Sequence, residues 1–112
     1  MAEIRRFGKV IGIKESQIAD YKKLHTDEHP GVRFFISQAC ISNFSIYIQN
    51  FGDGKHYLFS YFEYTGDDYD SDMVKIAEQP EIKSWLSVTD PKQIPFPEES
   101  SWKEMDSIYF NK

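Results

Sequence analysis

Six of the ten residues 55–64 carry large apolar or aromatic side chains, and this stretch limits the possible folds more than any other. In a strand, successive side chains point to opposite faces. This strand would therefore have two apolar faces: Tyr57, Phe59 and Tyr61 on one, and Leu58, Phe62 and Tyr64 on the other. Strands that are apolar on both faces are usually covered on both. We expect helices of the same chain on one face and, because the chain has only 112 residues, a second copy of the chain on the other.

Residues 6–13 and 41–49 alternate between apolar and other side chains, as strands do. Residues 102–110, with Met105, Ile108 and Phe110 apolar, are expected to form a last strand. The polar and glycine-rich residues 50–54 predict a hairpin loop between the second and third strands. Two glycines in the first strand, Gly8 and Gly12, leave room for a packed helix or a ligand to approach closely.

The segments between the predicted strands have apolar residues at helical spacing, which predicts helices there. Ser16 is the expected N-cap of a helix that runs to about His25, and a second helix is expected over about residues 31–39. A third helix is expected to begin near Met73, and a fourth at Pro80. Residues 89–101 form a long proline-containing loop, typical of a lid or of an arm that packs on a partner. The element order predicts one α+β domain over residues 1–112, with the split βαβ arrangement of ferredoxin-like folds.

Charge and cysteine content exclude several classes of protein. The chain has 18 acidic and 13 basic residues, a net charge of −5, which disfavours binding to nucleic acid or to an anionic membrane surface. Cys40 is the only cysteine, so no intramolecular disulfide is possible, and a buried thiol in a reducing compartment is expected. The chain shows no secretory-signal-like apolar run and no apolar stretch of membrane-spanning length. We expect a soluble, cytoplasmic protein.

Tyr21 and His25 form the first candidate site. Four residues apart on a helix, they lie on one face, which they share with Ile18. Imidazole gives and takes protons near neutral pH, and a phenol can orient a hydroxyl or relay a proton. The spacing alone leaves two interpretations open: a proton-transfer pair, or a histidine satisfied within the core.

The segment His25-Thr26-Asp27-Glu28-His29 matches the H-x-x-E-H pattern of inverted zinc peptidases. That chemistry needs both imidazoles on one helix and a third ligand. Pro30 argues that the helix has ended near His29, which would remove the ligand geometry. A solvated helix end is the favoured interpretation, and no metal is expected.

Aromatic residues are plentiful, with nine Phe, seven Tyr and two Trp. Aromatic rings suit a packed core, and they also suit flat-faced ligands such as sugars. Trp85, Trp102 and Phe96 form a candidate stacking set in the C-terminal half, with core packing as the alternative.

Six segments together resemble the L-rhamnose mutarotases in order and spacing. They are Phe7-Gly8-Lys9-Val10-Ile11-Gly12, Tyr21-Lys22-Lys23-Leu24-His25, Ile41-Ser42-Asn43-Phe44-Ser45-Ile46-Tyr47, Leu58-Phe59-Ser60-Tyr61-Phe62-Glu63-Tyr64, Trp85-Leu86-Ser87-Val88-Thr89-Asp90 and Met105-Asp106-Ser107-Ile108-Tyr109-Phe110. The resemblance runs from about Arg5 to Asn111. It implies a ferredoxin-like sandwich of the dimeric α/β-barrel type, a homodimer in which two sheets face each other.

The resemblance also implies a reaction, the interconversion of the α and β anomers of a 6-deoxyhexose by acid–base opening and closing of the ring. It implies that His25 is the proton donor and that Tyr21 contacts the sugar, with no metal or nucleotide cofactor. The group that acts as base is left open among Tyr21, Asp90 and a bound water.

The chain departs from the family's pattern at three positions that would surround the sugar. His29 precedes Pro30 where the family has Trp-Pro, Phe44 replaces a Tyr, and Ser84-Trp85 replaces a Trp-Trp pair. We expect Phe44, Ser84, Trp85 and His29 to be substrate-binding residues that discriminate among sugars differently, so that L-fucose is an alternative substrate to L-rhamnose. A non-catalytic dimeric protein that binds a sugar or another small ligand is the alternative function, and a zinc hydrolase is a distant third.

Overall fold

One antiparallel sheet with helices packed on one face makes up the computed structural model, which describes residues 3–112. The strands are β1 (Arg5–Ile13), β2 (Ile41–Asn50), β3 (His56–Tyr64), β4 (Gln93–Ile94) and β5 (Lys103–Met105). The helices are α1 (Ile18–Leu24), α2 (Pro30–Gln38), α3 (Tyr69–Ala77) and α4 (Pro80–Thr89), with short 3₁₀ turns at Glu15–Gln17 and Asp90–Lys92. Within the described residues, no helix is both long and apolar enough to cross a membrane.

The strand order confirms the ferredoxin-like prediction. It runs β2-β3-β1-β4, with β5 also paired to β1, and every pairing is antiparallel. The central pair, β1 and β3, is in register from Arg5 opposite Tyr64 to Ile13 opposite His56. Two short pieces share the fourth-strand position, because β4 pairs with the end of β1 and β5 with its middle.

The face of the sheet that meets the helices, here called the inner face, is apolar because alternate residues of β1 and β3 point towards it. Two buried clusters lie there. One contains Phe7, Ala39, Ile41, Phe62 and Tyr64, with α3 side chains packed on it; the other contains Ile11, Ile13, Tyr21 and Leu58. The second cluster anchors α1 through the Tyr21 ring, so one predicted site residue is also part of the core.

The opposite, outer face carries Tyr57, Phe59 and Tyr61, as predicted, and the chain itself covers part of it. The Phe51 ring at the hairpin tip lies against the rings of Tyr57 and Phe59, and the Phe96 ring stacks on Tyr57 with centroids 5.7 Å apart. The expectation that only a second copy could cover this face is therefore corrected, because the hairpin tip and the loop after β4 fold back over it.

Two predicted helix starts are wrong. The N–H of Lys14 donates to the carbonyl of Lys92, and the chain then passes through a 3₁₀ turn, so that α1 begins at Ile18 and Ser16 is not its cap. The third helix begins at Tyr69, before Met73, because the Asp68 side chain accepts a hydrogen bond from the N–H of Ser71.

The predicted last strand is mostly wrong. Of residues 102–110, only Lys103–Met105 form a strand. The guanidinium of Arg6, a β1 residue, lies 3.5 Å from the centre of the Phe110 ring, so the end of the chain contacts β1 through a side chain and not through strand pairing. The prediction that residues 89–101 are irregular also needs correction, because β4 lies within them.

Candidate active site

A cavity of about 680 Å³ lies between the first two helices and the β2 side of the sheet. Its volume is within the usual range for small-molecule sites. Five of the six predicted site residues line it: Tyr21, His25, His29, Phe44 and Trp85. The structure thus brings together residues from α1, from the connection that follows it, from β2 and from α4.

His25 comes directly after the last residue of α1, where the helix ends. Its ring nitrogen Nδ1 lies 2.7 Å from the carbonyl oxygen of Tyr21. A carbonyl can only accept, so Nδ1 carries the hydrogen and Nε2 is the nitrogen left for a ligand. The imidazole lies beside the Tyr21 ring, with centroids 4.5 Å apart, and meets the Trp85 ring edge-on at 5.2 Å.

Tyr21 is almost fully buried beneath this imidazole. Its hydroxyl oxygen lies 3.3 Å from Nε2 of Gln93, the amide donor. Burial raises the pKa of Tyr21 and the negative charge of Asp90 adds to this, while the hydrogen bond from Gln93 opposes it. Tyr21 therefore stays a neutral phenol near neutral pH, which suits a hydrogen-bond donor better than a base.

His29 lies between the two helices with its backbone in the left-handed region, at φ 47°. Pro30 follows as the first residue of α2, where its missing N–H costs no helical hydrogen bond. Nε2 of His29 lies 2.6 Å from the carbonyl oxygen of Leu24 and donates to it, which leaves Nδ1 free to accept. The ring packs on Trp85, with centroids 4.4 Å apart.

Trp85 and Phe44 form two aromatic walls of the cavity. Trp85 contacts both imidazoles, and Phe44 stacks on the buried Phe62 ring with centroids 5.6 Å apart. Phe44 is 44% exposed, so a large part of its ring is available to a ligand.

Ser84 lies elsewhere. It lines a shallow hollow with Gly31, Pro80 and Glu81, beside the main cavity. Adjacent residues on a helix point about 100° apart, so Ser84 and Trp85 do not both face the cavity.

The other candidate groups from the C-terminal half also lie apart from the cavity. Trp102 packs on the cluster that contains Ile11 and Ile13, and Phe96 lies on the outer face. Asp90, whose pKa is raised by burial, follows α4 and is not among the described residues that line the cavity.

The zinc-peptidase interpretation is contradicted by the local backbone. Helix α1 ends at Leu24 and His29 is left-handed, so the two imidazoles do not lie on one helix. Each also has one ring nitrogen bound to a carbonyl. Among residues 3–112 there is no group of three or more metal-ligating side chains.

Gln93 lies outside the cavity but holds the Tyr21 hydroxyl, and the sequence did not reveal this contact. It is buried and 72 positions from Tyr21 in the chain, and it lies inside a segment predicted to be an irregular loop. No spacing signal could have linked the two residues, because their contact depends on β4 pairing with the end of β1.

The fold and the cavity together define a ferredoxin-like α+β protein with an oriented imidazole in an aromatic-walled pocket, an arrangement suited to proton transfer on a small polar ligand. A sequence model of the L-rhamnose mutarotase family matches residues 6–110, and the chain belongs to that family. A solved structure, that of an L-rhamnose mutarotase from Formosa agariphila, is similar with a TM-score of 0.71 and 16% identity, over 96% of this chain and 99% of that one. A search of the curated proteins gave no match.

Proposed function

We propose that this protein is a monosaccharide mutarotase that interconverts the α and β anomers of a 6-deoxyhexose such as L-rhamnose. The observation that carries the proposal is the His25 imidazole, which lines a cavity with aromatic walls and whose Nδ1–H donates to the Tyr21 carbonyl. Family membership supplies the reaction class. Residues 1–112 would act as one domain with one site, although residues 1 and 2 lie outside the described part.

The proposed reaction moves protons without net gain or loss. A base removes the proton from the anomeric hydroxyl while an acid protonates the ring oxygen, and the bond between the anomeric carbon and the ring oxygen breaks. The open aldehyde rotates about the adjacent carbon–carbon bond. The ring then closes on the other face of the carbonyl with the two proton transfers reversed.

His25 is the proposed proton donor to the ring oxygen, through Nε2. Tyr21 supports it, since its carbonyl oxygen fixes the imidazole and its ring lies against it. This chemistry uses only side chains that exchange protons, so the proposal includes neither a metal nor a nucleotide.

The substrate is proposed from the cavity walls. Phe44 and Trp85 present apolar surface that suits the methyl group and the apolar ring face of a 6-deoxyhexose. Because Phe44 has no hydroxyl to offer the sugar, L-fucose is a second candidate substrate beside L-rhamnose.

Saturation-transfer NMR on the anomeric protons tests the function. We expect the protein to accelerate exchange between the anomers of L-rhamnose or L-fucose, and His25→Gln to lower that acceleration by about 100-fold or more, the usual contribution of an acid–base group. His56→Gln is the matched control, because His56 lies at the start of β3 beside Glu15 and outside the cavity.

Two results would contradict the proposal. Exchange unaffected by the protein across a panel of neutral monosaccharides would exclude mutarotase activity. Saturable sugar binding without faster exchange would favour the alternative, a non-catalytic sugar-binding protein.

The protein is further proposed to act as a homodimer joined through the outer face of the sheet. Ile94 and Met105 are 51% and 38% exposed, and their strand partners Gly12 and Gly8 place them on that face. Ile108 and Tyr109, near the C-terminus, are 95% and 78% exposed. Apolar surface of this kind is typical of an interface between subunits.

A further inference from the structure

We propose that His29 is the second proton-transfer group of the site and acts as the base opposite His25. The inference rests on the proposed mutarotase function and names the base which that function requires. The family usually has a tryptophan at this position, so the family's pattern does not predict an imidazole here. The proposal rests on the geometry of this chain.

The two imidazoles are fixed in complementary ways. Nδ1 of His25 donates to the Tyr21 carbonyl, and Nε2 of His29 donates to the Leu24 carbonyl. Each ring is therefore held in a defined tautomer with one free nitrogen, Nε2 of His25 and Nδ1 of His29. A bifunctional reaction needs two such groups, one protonated and one neutral, and they can exchange roles when the ring closes.

Trp85 contacts both imidazole rings, so the two lie at the same part of the cavity. Its indole contacts the His25 ring at 5.2 Å and the His29 ring at 4.4 Å between centroids, and all three side chains line the cavity. A monosaccharide lying against the indole would therefore be close to both imidazoles.

The backbone at His29 fixes the direction of its side chain, although four other non-glycine residues in the described part of the chain also have positive φ. The His29 φ of 47° lies in the left-handed region, which only a few per cent of non-glycine residues occupy. Such conformations cluster at functional sites, where surrounding structure holds them. Here the Leu24 carbonyl holds the imidazole, and Pro30 fixes the start of α2.

Tyr21 is less suited to be the base than His29, and other charged groups also line the cavity. Tyr21 has a raised pKa, and the burial and charge that raise it keep the phenol neutral. The charged or titratable side chains that also line the cavity are Lys22 on α1, Asp27 and Glu28 in the connection, Arg33 on α2 and Tyr47 on β2. Glu81 on α4 lines the adjoining hollow together with His29. The charges of these groups act on the two imidazoles. A change in the pH profile of a variant must therefore be compared with the titration of these groups as well.

In the proposed step, Nδ1 of His29 takes the proton of the anomeric hydroxyl while Nε2 of protonated His25 gives its proton to the ring oxygen. The bond between the anomeric carbon and the ring oxygen breaks, and the electron pair of the anomeric oxygen forms the aldehyde carbonyl. Closure on the other face returns both protons, so neither an oxidant nor a reductant is involved.

Three variants test the proposal by NMR exchange measurements as a function of pH. His29→Asn keeps a residue that tolerates the left-handed backbone, and we expect it to lower kcat by about 100-fold with little change in KM. The wild-type pH profile should be bell-shaped, because one imidazole must be charged and the other neutral, and this variant should lose one limb. His56→Gln, as control, should keep both limbs.

His29→Gly provides a readout that a structural role would not give. Glycine adopts φ 47° freely and leaves a hole where the imidazole was. Free imidazole should restore exchange in a saturable way in this variant, after subtraction of its own catalysis in protein-free solution, and should not do so in His25→Gln.

The outcomes separate this proposal from the function on which it rests. If the wild type accelerates exchange and His25→Gln abolishes it, but His29→Asn stays within about twofold of the wild type with both pH limbs, only the role of His29 is overturned. Absence of rescue in a folded His29→Gly variant would overturn it too. If the wild type accelerates no sugar, the proposed function fails, and the role of His29 fails with it.

Discussion

At the scale of single residues, the last carbonyl groups of α1 accept hydrogen bonds from the two imidazoles that are proposed to transfer protons. The N–H of His25 bonds to the Lys22 carbonyl, one residue closer than in a regular helix, which leaves the Tyr21 carbonyl free. The His25 ring occupies that carbonyl, and the His29 ring occupies that of Leu24. Carbonyls at a helix end need such partners. The same two contacts therefore stabilise the helix end and orient the imidazoles.

The buried hydrogen bond between Tyr21 and Gln93 gives the first stability prediction. Tyr21→Phe removes the hydroxyl and leaves the Gln93 amide buried without that partner, so we expect a loss of about 1–3 kcal/mol in the free energy of unfolding, measured in urea. Tyr109→Phe, at a residue that is 78% exposed, should change it by less than about 0.5 kcal/mol.

A second variant identifies the cause. Adding Gln93→Leu to Tyr21→Phe replaces both partners by apolar groups and should recover part of the loss. If the double variant is no more stable than Tyr21→Phe, the unsatisfied Gln93 amide is not the cause of the stability lost in Tyr21→Phe.

The raised pKa of Tyr64 predicts that the protein loses stability at alkaline pH. The burial of Tyr64, together with the hydrogen bond that it donates to Asp72, raises its pKa from 10.0 to about 12. The folded protein thus keeps this proton to higher pH than the unfolded chain, so the stabilisation is complete below about pH 10 and is lost as pH rises towards 12. Urea unfolding across this window should show falling stability in the wild type and a smaller slope in Tyr64→Phe. Equal slopes in the two proteins would contradict the assignment.

Five of the six residues predicted from the sequence to form the site line one cavity, and their roles stay predictions. The i, i+4 spacing paired Tyr21 with His25, and the departure from the family pattern directed attention to His29. Ser84 lines an adjoining hollow instead of the main cavity, because a two-residue motif does not show which of its members faces inward. Gln93 could not be found, because its role depends on a strand pairing that joins distant parts of the chain.

At the scale of elements, β1 organises the molecule, since β3, β4 and β5 all pair with it. The alternation of β1 and the apolar run of β3 are strong enough to predict both strands from sequence. The C-terminal strand was over-extended because Ile108 and Phe110 continue an apolar pattern that is not used for pairing with this chain's own sheet within the described residues. An alternating pattern shows which side chains avoid water, not what covers them.

Gly12 gives a test of how β4 is held. A Cβ at this position would lie 2.9 Å from the carbonyl oxygen of Ile94, so β4 must move to accommodate it. We expect Gly12→Ala to cost about 1–3 kcal/mol of stability in urea unfolding. Gly8→Ala is the matched control, because its Cβ would meet only the flexible end of Met105 at 3.3 Å. Restricting the unfolded chain favours folding, so equal losses in the two variants would show that contact with β4 is not the cause.

At the scale of the whole molecule, the two faces of the sheet have separate tasks. The inner face carries the core and the cavity, and the outer face carries the surface proposed for the second copy. The loop after β4 packs towards the outer face through Phe96, so it does not act as a lid on the cavity of its own chain. The strand that is apolar on both faces predicted that both faces of the sheet would be covered. It did not predict that Phe51 and Phe96 would cover part of the outer face.

Charge placed on the outer face should separate the proposed dimer. Ile94→Glu together with Met105→Glu puts like charges near the interface of two copies, which costs several kcal/mol of association. Light scattering should show a dimer for the wild type and a monomer for this variant. Phe34→Glu, at a side chain of α2 that is 55% exposed, should leave the dimer intact. A monomeric wild type, or a variant that remains dimeric, would contradict the proposed interface.

The position of Trp85 gives the protein an internal fluorophore at its cavity. The chain has two tryptophans, and the other, Trp102, packs on the Ile11 cluster away from the imidazoles. Because a neighbouring protonated imidazole quenches indole emission, a Trp102→Phe protein would report through Trp85 on the charge of His25 and His29 and on any molecule that lies against the ring. A library of unlabelled sugars could then be screened by emission intensity alone, before the natural substrate is known.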